Sequence, residues 1–579
     1  MSDYNLIDEP WISVVVDYKG TTKLVGLKEF FEHAHEYIAL AGDMPTQDFA
    51  VMRFLLAILH TVFSRYDAHG EAYEMIELND RMQQIEKVDL EDEEDYEDAL
   101  METWKDLWNA KKFPEIVVKY LDAWHDRFYL FDDKYPFYQV TEDIFKEATI
   151  YNNQKSVVED VGKISFKTIN RLISESNEKV SIFSMKNSDK NKLTTAQLTR
   201  WIIHYMGYST TSDKYKFKAF HEITDIEKYD APAGWLYTIG GLNYKVDNLF
   251  ETLLLNFIIA HPEERYRYNI QRPSWEFTPS ENTEFYLNKN GSSIDNLARL
   301  YTDYGRAIKI VNQENIYDGC LESVQLPILD KKYNLLECMT IWDKQKNAFN
   351  FSKRKTYESL WRNFGMIYCK SDDYQIPGIV DWIRKVSTLI DVDNIRLVVQ
   401  VLVSDQTASN KIKSEIYDEL YLNLKIIGDD VESGWIFRIK NIVDNTKNFL
   451  ERYYKNFISD LMQLCNNDKL CNNDKKTRDQ RDQRICQYMA NIYYKIDKPF
   501  NDWLHSIKLD ENKDENKDEK EKQWLGILKS IILDEINKIY NSLGYKFYIG
   551  REIKRGKKSE YINIAIIYNN LRSNINKKL

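Results

Sequence analysis

Cysteine is scarce in this sequence, and its spacing is not that of a metal site. Six cysteines occur among 579 residues, and none forms a C-x-x-C pair or a second pair at zinc-finger or zinc-ribbon spacing. Scattered cysteines in a chain without a secretory signal are typical of reduced thiols in the cytosol. We therefore expect no metal and no other cofactor.

Long hydrophobic runs are also missing. The longest apolar stretches, Phe54–Val62 and Leu249–Ala260, are interrupted by polar residues such as His60 and Glu251. They are too short and too polar to cross a bilayer. The opening residues, MSDYNLIDEP, contain neither the basic nor the apolar region of a signal peptide. These features predict a soluble, cytoplasmic protein without a membrane partner.

The sequence has no excess of positive charge. Lysine and arginine total 79 against 91 aspartates and glutamates, which gives a net charge of −12. A protein that wraps nucleic acid is normally basic, because neutralising phosphates supplies most of the affinity. An acidic chain can still read DNA through a few local contacts if a partner supplies the positive field. The charge therefore favours a small nucleic-acid footprint over a large one.

Apolar and aromatic residues are plentiful, at 43% and 13% of the chain, which indicates a folded protein of several lobes. Trp11–Asp17 has the character of a strand, and the three- and four-residue spacing of apolar residues over Phe49–Val62 predicts a buried helix. Ala307–Val311 and Ile395–Val403 have strand character between Gly, Pro and Asn signals. This mixture predicts an α+β lobe over residues 1–425.

The C-terminal part has a different composition, because glycine and proline nearly vanish there. Helical patterns cover 434–464, 480–508, 522–543 and 557–575. Four such segments joined by polar loops predict an all-α four-helix bundle over residues 426–579. The loops at 464–480 and 509–522 contain short tandem duplications of hydrophilic residues, which cannot build a core.

Residues that could carry catalysis do not form a site. His33 and His35 are two residues apart and do not share a helical face. His125 lies among apolar and aromatic neighbours, which favours a hydrogen-bonded structural role. The glycines of Gly550–Ser559 are one residue too far apart for a phosphate loop. We therefore expect a chain that is not an enzyme.

Several short segments, weak singly, are together specific in their order and spacing. They are Asn5–Trp11, Leu40–Ala50, Arg53–His60, Asp126–Phe131, Pro136–Gln139, Ala231–Leu236, Asp247–Asn256, Met339–Trp342 and Leu360–Arg362. On these segments the chain resembles the CasA family, the large subunits of the type I-E CRISPR surveillance complex Cascade. The resemblance covers residues 1–420 approximately.

The resemblance implies an α+β N-terminal lobe and a C-terminal four-helix bundle. It also implies a non-catalytic subunit that recognises the protospacer-adjacent motif on double-stranded target DNA and helps to start strand separation and R-loop formation. The implied partners are this DNA, the guide CRISPR RNA, the other Cascade subunits and a separate helicase-nuclease that is recruited afterwards. Such a subunit inspects only a few base pairs from the minor groove, which suits an acidic chain.

The family inserts a wedge residue, a Gln between Asn and Ala on a hairpin, below the motif to separate the strands. The matching segment here is Ser404–Lys411. Gln406 fits this role, with Ala408 close by, whereas an ungapped match puts Ser409 there, between Ala408 and Asn410. Either polar side chain can act as a wedge, because unstacking one step costs only a few kcal/mol. The alternative is a polar hairpin tip without this role.

Two further DNA-contacting elements follow from the resemblance. The family's minor-groove lysine maps to Lys331 or Lys332, for which a solvated turn is the alternative. A glycine-rich loop maps to the segment GYSTTSDK, where only Gly207 remains beside hydroxyl residues such as Ser209 and Thr210. Hydroxyl groups can donate to phosphate, but the close backbone approach that several glycines permit is lost. This departure from the family pattern predicts that the chain prefers a protospacer-adjacent motif different from that of better-known relatives.

A loop that contacts guide RNA maps to Ile182–Lys190. Phe183 is expected to stack on a base and Lys186 to meet a phosphate, although Phe183 could equally belong to a core. The alternative function for the whole chain is a structural scaffold that binds other proteins without reading DNA.

Overall fold

The structure of this chain, a computed structural model, forms two compact units. It describes residues 4–147, 150–151, 157–158, 161–170, 192–209, 215–217, 233–287, 294–311, 319–327, 335–345, 348–351, 358–372, 375–404, 412–429, 434–465, 475–507, 515–555 and 558–579. The first unit comprises Met1–Tyr357, Lys370–Asp391 and Arg396–Glu419, and the second Glu358–Cys369, Val392–Ile395 and Leu420–Leu579. The N-terminal part mixes helices and sheets, and the C-terminal part is mainly helical.

The strands of the N-terminal part belong to four sheets in the described ranges. They are β1 (Ile12–Val15), β2 (Thr22–Val25), β3 (Ala39–Leu40), β4 (Ile150–Tyr151), β5 (Val157–Val158), β6 (Lys163–Ser165), β7 (Lys216–Phe217), β8 (Gly241–Lys245), β9 (Arg306–Val311), β10 (Cys320–Gln325), β11 (Trp342–Gln345), β12 (Ala348–Phe351), β13 (Asn394–Ser404) and β14 (Ile412–Asn423). Their orders are β2-β1-β3, β5-β4-β7-β10-β6 with β9 also on β10, β11-β12, and β14-β13-β8. The three strands predicted above are confirmed as β1, β9 and β13.

Helices alternate with these strands. They are α1 (Leu27–His33), α2 (Pro45–Phe63), α3 (Glu93–Ala110), α4 (Ile116–Ala123), α5 (Glu142–Glu147), α6 (Phe166–Ile169), α7 (Thr195–Tyr208), α8 (Trp235–Thr238), α9 (Leu249–Asn256), α10 (Glu264–Arg267), α11 (Pro279–Leu287), α12 (Leu297–Tyr301), α13 (Phe364–Tyr368), α14 (Gly378–Val386) and α15 (Leu424–Ile427). The first twelve and α14 belong to the first unit.

Helix α2 is the central helix of the first unit. Pro45 occupies its first turn, where the missing N–H costs nothing. Its length and composition would allow it to cross a membrane, but 94% of its apolar window is buried inside the protein. The prediction of a buried helix is therefore confirmed, since a helix that is apolar on several faces needs partners all round.

The sheet β14-β13-β8 lies against this helix. β13 pairs antiparallel with β8, so that Gln400 is opposite Gly241 and Arg396 is opposite Lys245. A Cβ atom on Gly241 would lie 2.4 Å from the ring of Phe49 in α2. Glycine at this position therefore lets the helix approach the strand closely.

The C-terminal part of the second unit has four long helical segments. They are α16 (Trp435–Phe449) continued by a π-helical turn (Leu450–Tyr454) and α17 (Lys455–Cys465), then α18 (Lys475–His505), α19 (Glu515–Ser542) and α21 (Ile564–Lys578), with the short α20 (Tyr545–Ile549) before the last. α17 packs against α18 and α21, and α19 packs against α16, α18 and α21. Their buried faces follow helical spacing, as in the row Trp524, Leu528, Ile532 and Ile536.

The prediction of an entirely helical C-terminal region is wrong at one place. Residues 558–562, at the start of the predicted fourth helix 557–575, form the strand β16 (Lys558–Ile562), which pairs antiparallel with β15 (Arg551–Arg555). Gly550 precedes it with a left-handed φ of 74°, a conformation that L side chains rarely adopt. Helix α21 begins only at Ile564, after Asn563, whose side chain accepts the N–H of Ile566 at 2.8 Å.

Candidate nucleic-acid interface

Two of the predicted site residues, Gly207 and Ser209, lie within the part of the chain that the structure describes. The others lie outside the described residues: Thr210, Lys331, Lys332, Gln406, Ala408, Ser409 and Asn410 for DNA, and Phe183 and Lys186 for RNA. The residues that flank these segments are described, and their contacts are given below.

Gly207 lies in the last turn of α7, in close contact with the backbone before α8. A Cβ atom on Gly207 would lie 2.6 Å from Leu236 Cδ1, and one on Gly234 would lie 2.5 Å from the carbonyl oxygen of Gly207. The N–H of Gly234 donates to the carbonyl of Ser209 at 3.0 Å. The glycine that remains in the predicted DNA loop thus has a packing reason to be glycine.

Ser209 follows α7 directly and is completely buried. Its hydroxyl has no hydrogen-bond partner among the described residues. The predicted contact of this hydroxyl with a phosphate therefore requires the end of α7 to move, and the contact stays a prediction.

The segment 328–334, which contains both candidate lysines, is followed by a buried carboxylate. Glu337 forms a two-point ion pair with Arg53 of α2, with Nη1–Oε1 and Nη2–Oε2 distances of 2.8 and 2.9 Å. The indole N–H of Trp235 donates to Glu337 Oε2 at 2.6 Å. The carboxylate of Glu337, which follows the lysine segment, therefore binds both Arg53 of α2 and Trp235 at the start of α8.

Charge and ring contacts keep Arg53 ionised in this buried position. Burial alone would lower the pKa of the Arg53 guanidinium, but Glu337 raises it above its usual value. The guanidinium carbon also lies 4.1 Å from the ring centroid of Tyr301. A buried charge is tolerated when it is paired and hydrogen-bonded in this way.

The segment 405–411, which contains the candidate wedge, is followed by β14 and a second link to α2. Glu415 Oε1 accepts the backbone N–H of Thr46 at 2.7 Å, at the N-terminal end of α2. Burial raises the pKa of Glu415, whereas the hydrogen bonds from Thr46 lower it. Because a helix N-terminus carries unpaired N–H groups and partial positive charge, it holds a carboxylate favourably.

The Thr46 side chain connects the same end of α2 to α7. Its hydroxyl lies 3.3 Å from His204 Nε2, one turn before Gly207. Helix α2 thus contacts α7, Glu337 and Glu415, which flank the three segments predicted to touch DNA. This arrangement can hold the described ends of the three segments in fixed relative positions. Among the residues around it that the structure describes, no set of reacting groups is evident.

The sequence pointed to these supporting residues only in part. Arg53 is conspicuous as the one arginine in the apolar helix α2, which is a signal for a buried partner. Nothing local distinguishes Glu337, Glu415 or Trp235 from other residues of their kind, since their partners are far away in the chain.

His125 and His33, which the sequence does not place in a catalytic site, have polar contacts within the first unit. His125 Nε2 lies 2.7 Å from Asp8 Oδ2, and Asn5 Nδ2 lies 3.2 Å from His125 Nδ1. His33 Nδ1 lies 3.2 Å from Glu36 Oε1 at the surface. In the described ranges, no three His, Cys, Asp or Glu residues come together as a metal site.

These features define a protein with a mixed α/β N-terminal part and a helical C-terminal part, in which one core helix contacts residues from several distant parts of the chain. The family model of CRISPR-associated protein Cse1 matches residues 5–534. The chain belongs to this Cse1 family, whose members are also called CasA.

Individual relatives agree with this assignment. CasA/Cse1 of Thermus thermophilus is 22% identical over 316 residues, which are 54% of this chain and 50% of that protein, so the matched region spans half of the relative's length. The crystal structure of Thermobifida fusca Cse1 is similar with a TM-score of 0.68 and 20% identity, covering 99% of this chain and 98% of that one. A structure of a CRISPR RNA-guided surveillance complex contains a similar chain, with a TM-score of 0.62, 12% identity and 99% coverage of both.

Proposed function

We propose that this chain is the large subunit of a type I-E Cascade, which recognises the protospacer-adjacent motif of duplex DNA and helps to start strand separation and R-loop formation. Membership of the Cse1 family and the likeness to a chain of a surveillance complex support this role. The observation that carries the proposal is the attachment of α7, Glu337 and Glu415 to one helix.

The proposed division of labour follows the three flanked segments. Gln406 or Ser409 acts as the wedge, beside Ala408 and Asn410. Lys331 or Lys332 enters the minor groove, where a flexible cation meets an electronegative floor. Attachment to one helix would keep the DNA-contacting segments at a fixed spacing, and the readout of a few base pairs depends on that spacing.

The remaining contacts are proposed on the same basis. The segment from Gly207 through Ser209 and Thr210 approaches the DNA backbone after the end of α7 moves to expose Ser209, while Phe183 and Lys186 contact the guide RNA. The four C-terminal helical segments form a four-helix bundle that docks on other Cascade subunits. The subunit works in the cytoplasm, is not an enzyme itself, and recruits a separate helicase-nuclease after R-loop formation.

The experiment is a gel-shift titration of target duplexes with guide-loaded complex, assembled with and without this chain at fixed salt. The duplexes carry randomised bases beside the target. We expect tight binding to need this chain and to depend on two or three flanking bases, with each wrong base costing about 1–3 kcal/mol. Binding that is equal without the chain, or indifferent to these bases, refutes the proposal and favours the scaffold function.

Single variants then separate the segments. Lys331→Ala and Lys332→Ala are compared with Lys19→Ala, an exposed lysine in the turn between β1 and β2. Gln406→Ala and Ser409→Ala are compared for strand opening at saturating complex. The wedge residue is the one whose loss reduces opening while recognition of the flanking bases remains.

A further inference from the structure

A cavity of about 170 Å³ lies in the first unit between α2, α9 and the strands β8 and β13. Apolar side chains that are almost completely buried form part of its lining, among them Phe30, Phe49 and Leu55 at 0–2% exposure. The lining also carries Asn243, Lys245 and further polar groups. The cavity is therefore amphipathic, with hydrocarbon on one side and hydrogen-bonding groups on the other.

Asn243 supplies an unused acceptor in this cavity. The residue is 1% exposed, and its Oδ1 has no hydrogen-bond partner among the residues described. Its Nδ2 has only weak contacts, with Met52 Sδ at 3.7 Å and the Tyr244 carbonyl at 3.5 Å. A buried acceptor without a donor is costly, so a ligand that brings an N–H or O–H group would relieve it.

Two cations line the same cavity. Lys245 Nζ lies 5.3 Å from the ring centroid of Tyr417 and makes no ion pair or hydrogen bond within the described ranges. Arg396 Nη2 donates to the Val246 carbonyl at 3.0 Å and lies 3.4 Å from the exposed Asp247. Tyr417 is 41% exposed, which places this end of the cavity at the surface. An anionic group on a ligand would therefore find its partners near the opening.

Asp48 is the acidic group of the cavity lining. Its Oδ1 accepts the N–H of Gly42 at 2.7 Å. Burial raises the pKa of Asp48 to about 6, although the Gly42 N–H and Lys245 lower it. Burial lowers the pKa of Lys245, and Asp48 raises it. Asp48 thus offsets part of the positive charge and offers a second acceptor to a ligand N–H.

We propose that this cavity binds a small planar heterocycle that carries an N–H donor and an anionic group, which is the chemistry of a nucleoside monophosphate. The ring lies against Phe30 and Phe49 and donates to Asn243 Oδ1, while the anion lies near Lys245 and Arg396. The cavity has room for the ring, because an apolar cavity of about 150 Å³ holds benzene. The sugar and the anion would extend toward the opening at Tyr417. A free nucleotide and a nucleotide within a strand share this chemistry. The residues that line the cavity are not among those proposed above to contact DNA.

The test is equilibrium dialysis of the full chain against each of the four ribonucleoside 5′-monophosphates, with inorganic phosphate and the free nucleosides as fragments. We expect saturable binding of at least one monophosphate and weaker binding of its fragments. Lys245→Met removes the cation, and Asn243→Leu removes the acceptor at similar volume; each should weaken binding by about tenfold, which is about 1.4 kcal/mol. Lys19→Met, at an exposed lysine, is the matched control and should bind as the parent does.

The outcomes decide the proposal and the source of the ligand. Displacement by a single-stranded oligonucleotide at lower concentration than by the monophosphate identifies a nucleotide of a strand, and the reverse order identifies a free nucleotide. No saturable binding of any monophosphate in the millimolar range overturns the proposal. Binding that is unchanged in Lys245→Met also overturns the proposal. Because Lys245 lies near the opening of the cavity, this variant remains informative even if Asn243→Leu does not fold.

Discussion

Arg53 and Glu337 form a two-point ion pair, with nitrogen–oxygen distances of 2.8 and 2.9 Å, although 284 residues separate them in the chain. Their side chains are 2% and 0% exposed. Removing two charges from water costs several kcal/mol each, and a well-formed pair only offsets that cost. The pair is therefore better understood as a positioning device, which joins α2 to the residues after the segment 328–334.

Glu337→Gln should lower the free energy of unfolding by about 3–5 kcal/mol, because it leaves the Arg53 charge buried without its partner. Urea denaturation of the purified chain measures this change. The matched control is Glu276→Gln, which breaks the equally buried pair of Arg65 and Glu276. We expect similar losses of stability, but only Glu337→Gln should also weaken base-dependent DNA binding by the assembled complex. Equal effects of both variants on DNA binding would contradict the positioning role.

Glu415→Ala should reduce strand opening, because it releases β14 from the N-terminus of α2 and leaves the Thr46 N–H without its acceptor. A buried unsatisfied donor costs about 1–3 kcal/mol. Glu415→Gln keeps an oxygen acceptor and should retain most of the opening. Fluorescence of 2-aminopurine placed beside the motif measures opening at saturating complex. If the two variants behave alike, the link between Glu415 and Thr46 has no role in opening.

Gly234→Ala should destabilise the first unit by about 1–3 kcal/mol, because the new methyl group would meet backbone atoms and overpacking of a tight contact carries this cost. The nearest of these atoms are the Gly207 carbonyl oxygen at 2.5 Å and the Met206 carbonyl oxygen at 2.7 Å. Gly526→Ala is the opposite case, since Gly526 lies within α19 with no atom within 4 Å of an added Cβ. It should stabilise the chain by about 0.5–1 kcal/mol. Thermal unfolding of both variants checks the two signs.

The free energy of unfolding should decrease as the pH is lowered below about 6.5, because His60 is buried as the neutral imidazole. Burial, with His261 and Arg53 nearby, lowers the pKa of His60 to about 3. The unfolded chain therefore binds a proton that the folded chain does not, and acid favours unfolding. At pH 5 this amounts to about 2 kcal/mol relative to neutral pH.

His60→Phe should remove that part of the pH dependence, since Phe257 and Tyr301 already surround the ring at centroid distances of 4.9 and 5.6 Å. Denaturant midpoints at several pH values between 5 and 7.5 measure the effect. His69→Gln, at a side chain that is 76% exposed, is the control. An unchanged pH profile in His60→Phe would show that another group is responsible.

Much of the local structure was predictable from spacing. The apolar residues of Phe49–Val62 predict helix α2, and the β-branched run Ile395–Val403 predicts β13, because each pattern repeats with the period of its element. The family could also be predicted from ordered short segments, and the match over residues 5–534 confirms it. The hairpin at 551–562 was missed because its lysines, glutamates and isoleucines are equally compatible with a helix.

The sequence by itself determined several helices and strands, such as α2 and β13, the burial of α2, and the family, because these depend on local periodicity and on the order of short segments. Tertiary structure alone decided that Arg53 pairs with Glu337 and that Glu415 reaches Thr46, 369 residues away in the chain. It also decided that Ser209 is buried and that Asn243 and Lys245 face one cavity. These pairings depend on how distant elements pack together, and no local pattern of residues encodes the partner that a charged side chain meets after folding.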